Sequence, residues 1–469
     1  MSNIHEQALE YVYTQVLEHL MEHMSQALRA SMQLLIQRLM VAAGGVDCLG
    51  QFQLLVIHGA DRDSALLLST LRAAQLTIAQ RAPQTFRLKV LVASLPAASE
   101  AVLDYHERCF STLFLQDDPR VELLLIQGQH LVPFSRRPQT QHADWIPTRD
   151  ALLLFGHLNG GAAEALLGSR LHLQMASACN QVLSDAQGVL ALITMLPPRQ
   201  RYRYLAWCRR CLRLADEPGL HPLSLDIAYL IRALAWLHDV VATPSQAALA
   251  PTDSSDGASL QVIAVGDLLD QRPADLEFER LLKAPLVAAE CLPPLAVCFE
   301  VDALIQLRQL RERIVQRRVK GANLRLGLKP RTEQAADEMA QARLMQVLEL
   351  TEKQLICLLH APFAGHGAGL VSFIECYHPG MLVAMPYLHR ALLGKTCPDG
   401  VLHWLVEASG LSLVQLRAVY GRQVGQPARR MLEYLARRDM ALCLLRSADE
   451  LTTTDPECLP GSAVCMYNQ

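Results

Sequence analysis

The residues best placed to do chemistry form a turn between an apolar strand pattern at 52–57 and a helical pattern from about residue 62. The turn reads His-Gly-Ala-Asp-Arg-Asp-Ser from His58, and its candidate phosphate-binding residues are Gly59, Asp63 and Ser64. A helix that starts directly after a buried strand points free N–H groups at a phosphate. A Walker loop would also need a second glycine and a lysine, and a dinucleotide fingerprint would need three glycines. The sequence therefore predicts that neither of these two phosphate loops is present.

The same segment resembles the loop of the PP-loop ATP pyrophosphatases, in which a strand leads into Ser-Gly-Gly-x-Asp-Ser and then a helix. Asp63 and Ser64 match the last two residues of that motif, whereas Gly59, Ala60 and Asp61 stand where Ser-Gly-Gly is expected. The resemblance implies nucleotide-dependent chemistry at this turn. In the alternative interpretation, Asp61 or Asp63 simply caps the helix by accepting its free N–H groups. Because an aspartate obstructs close approach of a phosphate, the sequence favours the cap.

Cysteine and histidine pairs raise the question of metal or redox chemistry. Cys208 and Cys211 form a single CxxC inside a helical pattern, which is more typical of a structural pair than of a redox site. The C-terminal third is rich in these residue types, but the spacing is irregular compared with zinc modules. We predict no metal and no cofactor. The weak metal candidates are the close pairs Cys357, His360, Cys376 and His378.

Positive charge is concentrated between residues 308 and 331, where nine Lys and Arg face one Glu. An apolar stripe through Leu304, Leu307 and Ile314 leaves the arginines on the solvent side of the predicted helix. Arginine suits phosphate and carboxylate recognition. The sequence predicts a site for an anionic partner, such as a nucleotide, and the alternative is a solvated helix face. The candidate residues are Arg308, Arg311, Arg317, Arg318 and Lys320.

A winged helix is predicted over residues 398–455. Its first helix starts at Pro398 and ends at Gly410, its second is capped by Ser412, and its third starts after Pro427. A basic third helix suits insertion into the DNA major groove, and docking to a protein is the alternative. The DNA-binding candidates are Arg422, Arg429, Arg430, Arg437 and Arg438.

The elements around these sites indicate an α/β fold. Short apolar runs without in–out alternation, separated by helical patterns, predict a doubly wound, mostly parallel sheet that is NTPase-like but lacks a functional phosphate loop. The five predicted strands of this domain lie at 52–57, 86–93, 121–126, 151–155 and 188–194. A smaller second α/β unit follows, with strands predicted at 260–265, 295–299 and 324–328, and after it an all-α C-terminal region. The predicted boundaries are 1–45 for N-terminal helices, 46–245 for the sheet domain, 246–260 for a linker, 261–335 for the small unit and 336–469 for the helical region.

Composition excludes several classes of protein. The 469 residues are 51% hydrophobic and 19% charged, with a net charge of −3, which rules out global disorder and a uniformly basic nucleic-acid coat. Arg29 is the first cationic residue, so no secretory or transit signal is expected. No apolar run is long enough for a membrane span. The 13 cysteines are odd in number and dispersed, which predicts reduced thiols and a cytoplasmic location.

The order of elements over about 46–350 is similar in outline to that of cyclic-di-GMP-binding regulators of bacterial cellulose synthesis, although no functional motif aligns. Arg272 and Asp275 fit the RxxD pattern of cyclic-dinucleotide sites, a pattern short enough to arise by chance. The sequence favours a bacterial-type, non-enzymatic regulatory or assembly protein that acts through protein partners and DNA. The alternatives are a nucleotide-binding protein or enzyme of divergent PP-loop type and a cyclic-dinucleotide-responsive regulator of a secretion or exopolysaccharide system.

Overall fold

The structure is a computed structural model, and it describes most of the chain up to residue 421. The described residues are 2–59, 61–93, 100–127, 130–137, 149–150, 153–154, 156–157, 163–185, 190–217, 219–242, 260–269, 310–316, 345 and 350–421. None of the helices in these ranges is both long enough and apolar enough to cross a membrane.

A six-stranded sheet organises the first half of the chain. Its strands are β1 (Gln53–Ile57), β2 (Arg87–Ala93), β3 (Val121–Gln127), β4 (His130–Pro133), β5 (Leu190–Thr194) and β6 (Leu260–Ala264). The strand order is β4-β3-β2-β1-β5-β6, and all neighbours are parallel except the hairpin of β3 and β4. The predicted mixed α/β class with a mostly parallel sheet is therefore confirmed.

Helices precede and connect these strands. They are α1 (Ser2–His23), α2 (Gln26–Ala43), α3 (Arg62–Ala79), α4 (Glu100–Thr112), α5 (Ala163–Ser184), α6 (Pro198–Ala215) and α7 (Ile227–Ala242). Apolar side chains of α1 to α4 pack on one face of the sheet, against residues such as Leu54 and Val56. Those of α5 pack on the other face, against Leu55 and Leu91. Because both faces are covered, the strands are apolar on both sides.

The C-terminal region is helical. It contains α8 (Glu352–His360), α9 (Leu370–Tyr377), α10 (Met385–Leu392), α11 (Asp399–Ser409) and α12 (Leu413–Tyr420), with a 3-10 turn at Pro379–Ala384. Its buried residues form one core with α6, α7 and the outer side of α5. The helical region therefore packs on the sheet domain through the α5–α7 layer.

Two sequence predictions need correction, and one strand was not predicted. The prediction of a strand at 151–155 is wrong for Leu153 and Leu154, which are helical; a run this short has no period that separates strand from helix. Leu260–Ala264 does not belong to a second unit, because it pairs with β5 at the edge of the main sheet. The hairpin strand β4 was not predicted, since four residues ending in proline carry little strand signal. The other predicted strands of the second unit, at 295–299 and 324–328, lie outside the described residues.

A buried ion pair fixes α3 against the sheet. The guanidinium of Arg72 donates to Asp118 Oδ2 at 2.7 Å, and both side chains are fully buried. Arg72 also donates to the carbonyl oxygens of Leu113 and Phe114, at 3.0 and 2.9 Å. Phe114 has a left-handed backbone (φ 50°), which costs energy for a residue that is not glycine. Arg72 therefore holds together α3 and the strained turn after α4.

Asp118 is shared with a second arginine. Arg120 binds both of its carboxylate oxygens, at 2.8 and 2.7 Å, and stacks over the ring of Tyr13 from α1, with 4.5 Å from Cζ to the ring centroid. Burial alone would raise the pKa of Asp118, but the hydrogen bonds from Arg120 and the charge of Arg72 outweigh it and lower the pKa to about 2. The carboxylate is therefore ionised at neutral pH and links α1, α3 and β3.

Replacing Asp118 with asparagine should lower the free energy of unfolding at pH 7 by about 3–5 kcal/mol, because it leaves the Arg72 cation buried without its counter-ion. Asp267→Asn is the matched control: that carboxylate pairs with Arg38 but is 60% exposed, so its loss should cost less than about 1 kcal/mol. Urea denaturation of both variants measures the difference. Equal losses in the two variants would contradict a structural role for the buried pair.

Candidate functional site

The turn after β1 lies where an open α/β sheet usually binds its ligand. β1 pairs with β2 on one side and with β5 on the other, so the chain's connections leave this strand in opposite directions. Ligands of such sheets bind at the carboxyl ends of the strands where the direction of winding reverses. The predicted phosphate loop, Gly59 to Ser64, lies at this position between β1 and α3.

Asp61 occupies the start of α3 with its own carboxylate. As the N-cap residue, it accepts a hydrogen bond from the Ser64 backbone N–H at Oδ1 (2.9 Å) and one from the Ser64 hydroxyl at Oδ2 (2.6 Å). The Gly59 N–H in turn donates to Ser64 Oγ at 3.1 Å. The N–H of Ser64 and the N–H of Gly59, which would face a phosphate in a phosphate loop, are therefore already bonded within the turn.

The acidic groups of the turn also disfavour a phosphate at this helix end. Burial raises the pKa of Asp61, and the bonds from Ser64 act against that rise. Asp63 adds a second carboxyl group in the first turn of α3. A phosphate brought to this helix end would meet these acids where a phosphate loop presents glycine N–H groups. Gly59 and Ser64 are joined by a hydrogen bond, and Ser64 is bonded to the cap residue Asp61.

A pair of buried histidines lies directly behind the turn. His58 is the first residue after β1, and its Nδ1 lies 2.7 Å from Nδ1 of His106 on α4. One of these two nitrogens is protonated and donates a hydrogen bond to the other. Phe110 and Phe134 pack around the rings. Burial lowers the pKa of His58 to about 3, and burial together with the neighbouring His58 lowers the pKa of His106 well below its usual value. Both imidazoles are therefore neutral at physiological pH.

The other side chains near the pair are also held in their uncharged forms. Burial raises the pKa of the Cys109 thiol to about 12 and also raises the pKa of Tyr105. A thiol that stays protonated is a poor nucleophile and a poor metal ligand. The interior next to the turn is thus an apolar, uncharged environment. Sequence reasoning missed the histidine pair because His58 and His106 are 48 residues apart and no local pattern joins them.

The predicted CxxC lies on α6, as the helical pattern indicated. Cys208 and Cys211 are both buried, and burial raises the pKa of each thiol, to about 12 for Cys211. Their side chains belong to the core between α6 and the C-terminal helices. Two protonated, buried thiols have the properties of core residues and lack the low pKa of redox cysteines.

The weak metal candidates do not converge. Within the described ranges, no group of three or more His, Cys, Asp or Glu could hold a metal ion. His360 packs against the rings of Phe373 and Tyr377, and His378 packs against Trp404. Cys357 is buried on α8, and Cys376 lies on α9. The two histidines therefore serve as aromatic packing partners in this region.

Only part of the predicted anion site is described. Residues 310–316 are helical, and Ile314 is buried in the core as the apolar stripe predicted. Arg311 lies on this helix and is partly buried. Arg308, Arg317, Arg318 and Lys320 lie outside the described residues, as do Arg272 and Asp275.

Two of the helices predicted within 398–455 are present, as α11 and α12, and their assignment to a winged helix stays a prediction. α11 ends at Gly410, whose left-handed backbone (φ 72°) stops the helix, and Ser412 caps α12 in a reciprocal capping box with Gln415. Leu416 and Val419 of α12 are buried, as predicted. The third helix and the wing lie outside the described residues, and so do Arg422, Arg429, Arg430, Arg437 and Arg438.

Sequence reasoning also missed a second basic helix. α6 carries six arginines and no acidic residue over 18 positions. The signal was the spacing of Arg199, Arg203, Arg210 and Arg213, which recur on one helix face.

The chain matches no protein-family model, no curated protein and no solved structure.

Replacing His58 with asparagine should flatten the dependence of stability on pH. A buried histidine with a lowered pKa binds its proton in the unfolded chain only, so the free energy of unfolding falls as the pH drops below about 6.5, by up to ~1.4 kcal/mol per pH unit. The asparagine amide can still bond to His106 but binds no proton, so this slope should decrease by about 1 kcal/mol per pH unit between pH 6.5 and 5.

Urea denaturation at several pH values measures that slope. The same substitution at His403, whose side chain is 84% exposed, shows what an exposed histidine contributes. If both variants change the slope equally, the histidine pair is not buried in its neutral form.

Proposed function

We propose that the protein is a non-enzymatic regulatory or assembly protein, whose α/β sheet is a scaffold for contacts with a partner protein. The observation that carries this proposal is the position of Asp61. Its carboxylate accepts the hydrogen bonds of Ser64 at the helix end where a nucleotide-dependent enzyme of this architecture would hold phosphate. In this proposal the Asp61 carboxylate takes the place that a phosphate would have at the start of the helix.

The buried groups around the turn support the same proposal. His58, His106 and Cys109 are held uncharged by burial, whereas general acid–base or nucleophilic catalysis needs groups that ionise near the working pH and reach the substrate. The alternative function, a nucleotide-binding protein or enzyme of divergent PP-loop type, would require Asp61 to leave its position so that Ser64 could bind a phosphate.

Exposed apolar side chains indicate where a partner protein would bind. Large apolar residues that face solvent are concentrated in the C-terminal helices, and Val383 on the 3-10 turn is 86% exposed. Apolar side chains that are exposed in the folded chain can be buried against a partner protein. The exposed residues in this region are Val371, Leu382, Val383, Tyr387, Leu393, Val406 and Val414.

DNA binding by the C-terminal module is a second candidate function. It is favoured by the α11–α12 pair, in which a left-handed glycine and a capped second helix follow the pattern of a helix-turn-helix start. The proposal adds a third helix with Arg429, Arg430, Arg437 and Arg438 on its outer face, a charge pattern that suits phosphate contacts.

Nucleotide binding separates the proposed function from its alternative. Isothermal titration of the full chain with ATP, GTP and cyclic di-GMP, each to about 1 mM, should give no binding in the micromolar range, because the phosphate position is filled. Micromolar ATP binding that is abolished by Ser64→Ala and by Asp63→Ala would overturn the non-enzymatic proposal. Micromolar binding of cyclic di-GMP would instead support the cyclic-dinucleotide-responsive regulator.

The DNA-binding candidate predicts a gel shift of the full chain with a 30-base-pair duplex. With about four arginine–phosphate contacts, the affinity should fall on the order of 100-fold between 50 and 200 mM salt. Arg429→Gln combined with Arg430→Gln should weaken binding, and Arg81→Gln combined with Arg87→Gln is the control of equal charge. Absence of a shift at 50 mM salt would leave protein docking as the function of this module.

A further inference from the structure

Helix α6 presents a continuous basic face to solvent. Arg199, Arg203, Arg210 and Arg213 are exposed and follow one another at intervals of four, seven and three residues, which places them on one side of the helix. The fifth position of this stripe is the exposed Ala206. At 1.5 Å per residue the four arginines extend over about 21 Å.

The opposite face of α6 is fixed in the protein core. Trp207, Cys208, Cys211, Leu212 and Ala215 are buried and pack against α7 and the C-terminal helices. The helix therefore cannot turn its apolar side towards a lipid surface, as a basic amphipathic helix on a membrane does. Its basic face is therefore held on a rigid support.

The charge of this face is one-sided. α6 contains six arginines, no lysine and no acidic residue, in a chain whose net charge is −3; the nearest acids in sequence, Asp216 and Glu217, follow its last turn. The helix starts at Pro198 without a side-chain cap, so the positive end of its dipole adds to the positive potential of this face. Arginine rather than lysine favours a ligand with planar, bidentate acceptors such as phosphate.

An aromatic ring lies beside the arginines. Tyr202 is 71% exposed on the flank of the same face, which is unusual for a large aromatic side chain. One helical turn further on is Ala206, which is also exposed. Exposed aromatic rings among arginines are the arrangement on which nucleic-acid bases stack while phosphates are bound. An acidic protein surface would need the arginines but not the ring.

We propose that the exposed face of α6 is a binding site for a single nucleic-acid strand. Arg199, Arg203, Arg210 and Arg213 contact its phosphates, and Tyr202 stacks on a base. This site is separate from the α11–α12 module and does not depend on the function proposed above.

The test is fluorescence anisotropy of a labelled 20-nucleotide oligothymidylate titrated with the full chain. Four phosphate contacts on a single strand predict a slope of about −3 in a plot of log affinity against log salt, which is a loss of about 50-fold between 50 and 200 mM. Replacing Arg203 and Arg213 with glutamine should weaken binding at 50 mM salt at least tenfold and reduce the slope to about −1.4. Circular-dichroism melts should stay unchanged, because both residues are exposed.

Matched controls separate this site from others. Arg81→Gln combined with Arg87→Gln removes the same charge from exposed residues at the end of α3 and the start of β2, and should leave binding unchanged. Tyr202→Ala should weaken binding by about fivefold or more, whereas Tyr11→Ala should have no effect, since Tyr11 is equally exposed (67%) but lies on α1.

Several results would overturn the proposal. One is that the wild-type chain does not bind the oligonucleotide at 50 mM salt. Another is that binding is lost with Arg429→Gln and Arg430→Gln but kept when Arg203 and Arg213 are replaced, which would place the site in the C-terminal module. A third is binding of poly-glutamate in place of the oligonucleotide, lost in the Arg203 and Arg213 variant, which would assign the face to an acidic protein.

Discussion

The arrangement of the sheet domain depends on one buried cation, the guanidinium of Arg72. It is paired with Asp118, hydrogen-bonded to Gln75 and to two carbonyl oxygens of the turn after α4, and closed off from solvent by Tyr13 of α1. A buried charge is stable only when it has a counter-ion and its hydrogen bonds are made. Helices α1 and α3, the turn after α4 and the start of β3 must therefore keep their relative positions, and α3 is fixed over the sheet near its middle.

The start of α3 follows from this constraint. With the helix held in place, its first turn lies at the carboxyl end of β1, where Asp61 accepts the Ser64 N–H and the two residues close the turn with Gly59. Behind it, burial keeps His58 and His106 neutral. The turn at the carboxyl end of β1 is thus stabilised by hydrogen bonds within the protein.

Much of this fold could be predicted from local patterns. Four parallel strands, the helices between them and the caps at Gly410 and Ser412 follow from apolar runs and from residues that start or stop helices. The run at 151–155 could not be assigned correctly, since five apolar residues have no distinguishing period. The placement of β6 beside β5 depends on a pairing across more than sixty residues, which no local pattern encodes.

The candidate site, like the fold, could be predicted from the sequence only in part. Asp61 and Asp63 had two interpretations, as a helix cap or as part of a phosphate loop. The choice between them depends on how closely a phosphate can approach the backbone. The His58–His106 pair and the Arg72–Asp118 pair were not predicted, since each joins residues 46 or more apart. The basic face of α6 was predictable from spacing, but Cys208 and Cys211 on the same helix gave a more familiar pattern.

We propose that Asp61 caps α3 in place of a phosphate ligand. Amide hydrogen exchange of Ser64 tests it most directly, with and without 5 mM pyrophosphate, in the wild-type chain and in Asp61→Ala. The account predicts that the Ser64 N–H exchanges slowly in the wild type, that pyrophosphate does not change its rate, and that the rate rises in Asp61→Ala. A slowing of Ser64 exchange by pyrophosphate in the wild type would show that the turn opens to bind phosphate and would contradict the account.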